Sequence, residues 1–232
     1  CKNLALIRLS NNQIADLKPI KDLANVQSLD LANNKISDIK PIAGLIKLQY
    51  IELSGNQIAD ISALEKLTAL NAIYLGNNKI SDISSVKNLA KLSSLSLPKN
   101  QISNLAPLTT VTRISTLDLS DNQVADLAPL SKQTDLRMLI IERNKVADLK
   151  PLVDSCKADF TSSKRFAPFL RLYLAGNPLG AGPGTDVLPQ PMPMATPPGS
   201  RQDLINQVRY IYSKTPNTAL LQLILELENV SI

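Results

Sequence analysis

The stretch Val26 to Lys47 reads VQSLDLANNKISDIKPIAGLIK, and close variants of it recur along most of the 232-residue chain. Aligned on the asparagine near its centre, the copies follow each other every 22 residues, with one final step of 33, at Asn12, Asn34, Asn56, Asn78, Asn100, Asn122, Asn144 and Asn177. A fixed period of this length indicates a solenoid, in which each coil packs only on its neighbours. The sequence therefore predicts one repetitive scaffold.

The spacing of apolar residues changes within each copy. Leu29 and Leu31 alternate with polar residues, as in a strand with one buried face. After Asn34 the apolar spacing widens towards a helical period, which predicts a short 3-10 or helical turn on the opposite side of the coil. The core must be built from Leu, Ile, Val and Ala, since aromatic residues make up only 3% of the chain and Trp is absent.

Two polar columns of the repeat are explained by folding. The amide of each central asparagine offers donors and an acceptor to backbone groups that would otherwise be buried without partners between coils. Four residues further on stands a second column, Asp16, Asp38, Asp60, Asp82, Asn104, Asp126 and Asp148. A row of carboxylates is one way to bind a cation, but Asn104 keeps the capping capacity and loses the charge. We therefore interpret the column as caps of the short turns.

The consensus L-x-x-L-x-L-x-x-N-x-I-x-D-[IL]-x-P-L-x-x-L-x-x resembles the 22-residue leucine-rich repeat of the bacterial internalins. It covers about three quarters of the chain, in coils that start at Leu4, Val26, Leu48, Leu70, Leu92, Ile114, Leu136 and Phe169. The resemblance implies an α/β fold, a right-handed horseshoe with a concave parallel β-sheet, short 3-10 or helical turns on the convex side, and binding on the concave face. The chain shows no evident internalin-type N-terminal cap and no immunoglobulin-like domain, so host adhesion is not carried over.

The repeat predicts three regions. Residues 1–177 form the solenoid of eight coils, interrupted by an insertion at about 154–168 that we expect to be extruded as a loop. Residues 178–199 contain seven Pro and four Gly and are expected to be extended. Residues 200–232 are predicted to be a C-terminal helical cap, with an amphipathic helix from Ser200 to Lys214 and a final segment, 219–232, whose pattern fits helix or strand.

Cys1 admits two interpretations. It lies in the register of a core leucine, as the last core residue of an upstream coil would, and it also resembles the lipid-carrying first residue of a mature bacterial lipoprotein. Cys1 and Cys156 do not make a disulfide framework. No apolar run reaches the roughly 18 residues that a membrane span requires, so a lipid anchor at Cys1 is the membrane attachment that the sequence suggests.

The composition argues against catalysis. The chain has no His, which removes the commonest general base and metal ligand. No glycine loop joins a strand to a helix, as a phosphate site requires, and the two cysteines lack metal-ligand spacing. We therefore expect no enzyme activity, no cofactor and no metal. Nucleic acid is not an expected partner either, because basic and aromatic residues are not interleaved along a groove.

The outward strand positions are the candidates for binding. One column holds Leu6, Ser28, Tyr50, Ala72, Ser94, Thr116, Met138 and Arg171, and the next holds Arg8, Asp30, Glu52, Tyr74, Ser96, Asp118, Ile140 and Tyr173. Two clusters have the residue types enriched at protein interfaces: an aromatic and acidic cluster of Asp30, Tyr50, Glu52 and Tyr74, and an apolar and basic cluster of Met138, Ile140, Arg171 and Tyr173, near Arg137 and Arg143.

These features predict a non-catalytic scaffold that binds another protein on its concave face. The resemblance suggests a bacterial cell envelope or cell surface as its location, with a cytoplasmic location as the alternative. The alternative function is a structural subunit of a larger assembly, docked through the C-terminal segment or the insertion. The sequence does not identify the partner.

Overall fold

A computed structural model describes residues 3–161 and 170–179 of the chain. The predictions for Cys1, for residues 162–168 of the insertion, for most of the proline- and glycine-rich segment and for the helical cap at 200–232 lie outside these residues. Eight parallel strands form one sheet in chain order: β1 (Leu6–Arg8), β2 (Ser28–Asp30), β3 (Tyr50–Glu52), β4 (Ala72–Tyr74), β5 (Ser94–Ser96), β6 (Thr116–Asp118), β7 (Met138–Ile140) and β8 (Arg171–Tyr173).

Short 3-10 turns lie on the other side of the coils, as the sequence predicts. They are Lys18–Ile20, Lys40–Gly44, Ser62–Leu64, Ser84–Asn88, Ala106–Thr110 and Ala128–Lys132. Four of them have a proline in the first turn, where the missing N–H costs no hydrogen bond and the fixed φ suits the turn. Each of the first six coils therefore consists of one strand, one 3-10 turn and the two segments that join them.

The core is a stack of aliphatic layers between the strands and the turns. The central residue of each interior strand is fully buried: Leu29, Ile51, Ile73, Leu95, Leu117 and Leu139. The first coil differs because it has a neighbour on one side only. Leu4 and Leu9 are 40% and 42% exposed, whereas Val26 and Leu31, at the same positions one coil later, are 0% and 1% exposed.

The central asparagines join consecutive coils, as predicted. The Nδ2 of Asn100 donates to the Leu97 and Pro98 carbonyls of its own coil, at 3.1 and 3.2 Å, and to the Leu75 carbonyl of the preceding coil, at 2.9 Å. Its Oδ1 accepts the Ile80 N–H at 2.9 Å. Because one side chain satisfies four backbone groups in two coils, the column is an asparagine ladder that belongs to the fold.

The aspartate column caps the turns from one residue before the N-cap position. The Asp60 Oδ1 accepts the Ser62 N–H at 2.8 Å, while Ile61 occupies the N-cap. Asn104 accepts the Ala106 N–H in the same way, at 2.9 Å. The capping interpretation is confirmed, since the amide and the carboxylate make the same bond and the charge is not needed.

The prediction that the insertion is extruded as a loop is wrong for residues 154–161, and residues 162–168 lie outside the described part of the chain. The chain forms a helix, α1 (Lys150–Thr161), one repeat after the turn Ala128–Lys132. The buried apolar residues of this region, Leu149, Leu152, Val153 and Cys156, follow the spacing of one helix face. This face takes the place of the apolar residues that a 3-10 turn buries in the other coils. The first residues of the insertion therefore continue the helix that covers the core of the solenoid.

The sheet is unaffected by the longer connection. Leu139 of β7 pairs with Leu172 of β8 in the same register as the other strands, and the Asn177 Oδ1 accepts the Val146 N–H at 3.0 Å. Within α1, burial raises the pKa of the Cys156 thiol to about 12. A buried neutral thiol of this kind is a core residue and not a nucleophile.

Candidate functional site

The two outward columns predicted from the sequence are side by side in the structure. Each member pairs with the residue 22 positions later, as Tyr50 with Ala72 and Glu52 with Tyr74, and the last pairs join Met138 to Arg171 and Ile140 to Tyr173. We call this surface the sheet face. With strands about 4.8 Å apart, its eight strands extend over roughly 34 Å.

The first cluster occupies three neighbouring strands. We call Asp30, Tyr50, Glu52 and Tyr74 the tyrosine–carboxylate patch. The two rings are in contact, with centroids 5.4 Å apart and planes tilted by 42°. The Tyr74 hydroxyl lies 3.2 Å from the Ser94 Oγ on the next strand. All four side chains are half-buried, so the patch is held in place yet accessible.

Among the described residues, the carboxylates of this patch make no ion pair within 4.0 Å. The Asp30 Oδ1 accepts the Ala32 N–H at 3.2 Å and the Glu52 Oε1 accepts the Ser54 N–H at 2.7 Å. Within residues 3–161 and 170–179, the ion pairs shorter than 4.0 Å involve other acids. The pKa of Tyr50 is raised by its burial and then by the negative charge of Glu52, while the charge of Arg8 lowers it.

The second cluster lies on the same sheet, separated from the first by two strands. Met138, Ile140, Arg171 and Tyr173 form a block on β7 and β8, which we call the apolar–arginine patch. Met138 and Ile140 are half-buried and Tyr173 is 37% exposed. The four predicted residues are therefore brought together, with two strands of mostly small residues, β5 and β6, between them and the tyrosine–carboxylate patch.

Arg143 contributes less positive charge to this region than the sequence suggests. Its guanidinium binds Asp121 on the adjacent coil, at 2.6 and 2.9 Å, and Glu142, at 2.9 Å. These carboxylates raise the pKa of Arg143 and the guanidinium lowers the pKa of Asp121. The arginine therefore links two coils, and its charge is compensated locally.

Sequence reasoning missed two features that shape the sheet face. Ser94, an outward residue outside both predicted clusters, lies within hydrogen-bond distance of the Tyr74 hydroxyl. The residue before each ladder asparagine has a positive φ in all eight copies, at Asn11, Asn33, Gly55, Asn77, Lys99, Asp121, Arg143 and Gly176. The signal for this sharp turn was present, since five of the eight are Asn or Gly, the residues that tolerate the left-handed region best.

The part of the chain that the structure describes lacks two other kinds of site. No group of three or more His, Cys, Asp and Glu side chains there is arranged to hold a metal ion. In the same residues no helix has the length and apolar character that a membrane span needs. What the described residues offer is an extended surface with side chains of several chemical types.

Comparison with known proteins agrees with this architecture. The profile described as "Leucine Rich repeats (2 copies)" matches residues 2–44 and 46–88, and a comparison with curated proteins finds no match. Internalin C2 from Listeria monocytogenes is 30% identical, with 76% of this chain and 74% of that chain covered and a TM-score of 0.67.

Two more distant structures share the fold. A leucine-rich repeat protein from Leptospira interrogans is 23% identical, with 78% of this chain and 51% of that chain covered and a TM-score of 0.66. The plant peptide hormone receptor RGFR1, solved in complex with RGF2, is 20% identical, with 77% of this chain and 29% of that chain covered and a TM-score of 0.63. The repeat, the sheet of parallel strands and the similarity to internalin C2 lead to one conclusion: the chain belongs to the bacterial internalin-like family of leucine-rich repeat proteins.

Proposed function

We propose that this protein is a non-catalytic scaffold that binds a partner protein through its sheet face. The observation that carries the proposal is the arrangement of that face. Two columns of side chains stand on a sheet whose position is fixed by the core and by the asparagine ladder, and the fold leaves the identity of these side chains free. Rigid support of this kind lowers the entropy lost when a partner binds.

The chemistry of the sheet face suits a protein partner. Tyr50, Tyr74, Met138 and Arg171 are of the types that carry binding energy at protein interfaces. Ser94 and Thr116 lie between the two patches and leave room for a partner to approach. A roughly 34 Å surface accommodates an extended segment or the edge of a folded domain. The complex of RGFR1 with RGF2 shows that this fold is compatible with a bound partner.

The test places a long charged side chain at the centre of the sheet face. A partner is recovered by affinity capture from the native organism, purified and titrated against the full chain and two variants. Ser94→Arg obstructs the space between the patches, and we expect its affinity to fall by at least about tenfold, which corresponds to 1.4 kcal/mol. Asn88→Arg, on the exposed 3-10 turn behind the sheet, is the matched control and should bind as the unaltered chain does.

Two results would overturn the proposal. One is unaltered affinity in Ser94→Arg, and the other is an equal loss in Asn88→Arg. If a chain that ends at Leu179 loses the partner while Ser94→Arg keeps it, the structural-subunit function replaces the sheet-face function.

The proposed location is the bacterial cell envelope or cell surface, with lipid attachment at Cys1 as one means of anchoring. Family membership supports the location, and the resemblance of Cys1 to the first residue of a mature lipoprotein motivates the attachment. Cell fractionation tests the location, and mass spectrometry of the native N-terminus tests the attachment. Recovery from the cytoplasmic fraction alone would contradict the location, and an unmodified residue at Cys1 would contradict the lipid.

A further inference from the structure

We propose that the tyrosine–carboxylate patch binds an arginine side chain in a basic segment of the partner. The inference rests on the proposed function of the sheet face and assigns a chemistry to one part of it. It is drawn from the charge that this part of the surface leaves uncompensated and from the aromatic rings beside that charge.

The first argument is charge complementarity. Asp30 and Glu52 are neighbours in register on β2 and β3, and each uses one carboxylate oxygen for a backbone N–H of its own strand end. The second oxygen of each makes no hydrogen bond within the described residues. Arg8 pairs with Asp30 in register, but the two groups make no ion pair within 4.0 Å. Each of the two carboxylates therefore has an oxygen available to accept a hydrogen bond from a cationic group of a partner.

The second argument is the position of the rings. Tyr50 is flanked in its column by Ser28 and Ala72, and neither is long enough to cover an aromatic ring. Tyr74 follows Glu52 in the same column and is anchored to Ser94. A cation that reaches the carboxylates therefore passes beside two half-buried aromatic faces, where the ring quadrupole attracts it.

These two features together select arginine. A guanidinium is planar and stacks on aromatic rings, and its fixed fork of donors matches a carboxylate in two parallel hydrogen bonds. An ammonium has neither property and is more strongly hydrated. The patch covers three strands, which is about 10 Å, and so has the size for one or two side chains. The same negative charge opposes phosphate, and this excludes nucleic acid and anionic lipid as occupants of the patch.

The experiment uses a defined probe and the full chain. A short acetylated and amidated alanine peptide with one central arginine is titrated while the ring signals of 13C-labelled Tyr50 and Tyr74 are followed by NMR, assigned with Tyr→Phe variants. The matched probes carry citrulline, which has the shape of arginine without its charge, or lysine. We expect saturable shifts of both rings, with affinity for the arginine peptide about tenfold above that for the citrulline peptide and several-fold above that for the lysine peptide.

The matched variants separate this patch from general acidity. Asp30→Asn combined with Glu52→Gln keeps an oxygen for the Ala32 and Ser54 N–H groups and removes both charges, and it should weaken arginine binding about tenfold. Asp118→Asn removes a carboxylate of the same column, whose Oδ1 accepts both the N–H and the hydroxyl of Ser120. That control should change the affinity less than about twofold, because its charge is two strands away and screened.

Several results would overturn the proposal: no saturable shift of the two rings, equal shifts with citrulline, equal affinity for lysine, or unchanged binding in the Asp30→Asn, Glu52→Gln variant. These outcomes differ from failure of the proposed function. A partner that is lost in Ser94→Arg but binds the charge-neutral variant normally leaves the sheet-face function intact and removes the arginine assignment. If the patch binds the arginine peptide but the partner binds the Ser94→Arg variant normally, the arginine assignment stands and the sheet-face function fails.

Discussion

The asparagine ladder and the sheet face lie on the same coils, yet they follow opposite rules. Asn56 and Tyr50 are six residues apart in one coil. The column of Asn56 is asparagine in all eight copies, whereas the column of Tyr50 contains Leu, Ser, Ala, Thr, Met and Arg as well. The ladder side chain bonds four backbone groups, and the sheet-face side chain points away from the core. Uniformity in this molecule therefore marks folding, and variety marks the surface that is free to bind.

The largest expected effect comes from the inward residues of the strands that carry the tyrosines. Ile51 and Ile73 are fully buried and pair with each other between β3 and β4. Replacing both by alanine removes core contacts and leaves a cavity, so we expect the free energy of unfolding to fall by roughly 4–10 kcal/mol, at about 2–5 per site. Urea unfolding followed by circular dichroism measures it. A midpoint near that of the unaltered chain would mean that this layer does not hold the coils together.

The next largest effect on the free energy of unfolding is expected from the asparagine ladder, and another asparagine of the same column serves as the control. Asn100→Ala breaks four hydrogen bonds and leaves backbone groups buried without partners, so we expect a loss of about 3 kcal/mol. Asn12 is exposed, and its bonds within the described residues go to the Leu9 and Ser10 carbonyls of its own coil. Asn12→Ala should cost less than about 1 kcal/mol. Equal losses in the same unfolding measurement would show that the bond between coils is not what the ladder contributes.

A smaller loss of unfolding free energy is expected from a change in the turn at the edge of the sheet face. Gly55 has φ of +70°, and a Cβ there would lie 2.2 Å from the Asn33 Oδ1. Gly55→Ala therefore forces the exposed Asn33 side chain away from Asn11, its partner at 3.0 Å, and strains the backbone, for about 1–2 kcal/mol. Gly44→Ala, whose Cβ would meet nothing closer than 3.9 Å, should change the unfolding free energy by less than about 0.5 kcal/mol. A matching loss at Gly44 would contradict this account of the turn.

Repetition made most of the fold predictable. Eight copies in register identify the strands, the inward and outward positions and the ladder, because one arrangement must satisfy every copy. The pairing of the columns then places Tyr50 beside Tyr74 and Glu52 beside Asp30. The same reasoning does not fix side-chain rotamers. The bonds of Glu52 to the Ser54 N–H and of Arg143 to Asp121 depend on local competition among partners.

The unrepeated part was predicted less well, for a physical reason. The insertion occurs once, so its sequence had to be interpreted without the constraint of other copies. The helical spacing of Leu149, Leu152, Val153 and Cys156 was visible, and Lys150 and Asp154, which form an ion pair in α1, stand four residues apart as helix-stabilising pairs do. For this segment, the helical spacing is a better predictor of structure than the general tendency of insertions to leave the solenoid as loops.

The central claim, that folding and binding use different sides of the same strands, is tested most directly by one further unfolding measurement. Tyr50→Ala combined with Tyr74→Ala changes the outward neighbours of Ile51 and Ile73, and only a tilted ring pair and one hydroxyl contact are lost. We predict that the free energy of unfolding falls by about 1 kcal/mol, several times less than in the variant with alanine at both isoleucines. A loss equal to that of the isoleucine pair would contradict the claim, because it would make the tyrosines part of the fold.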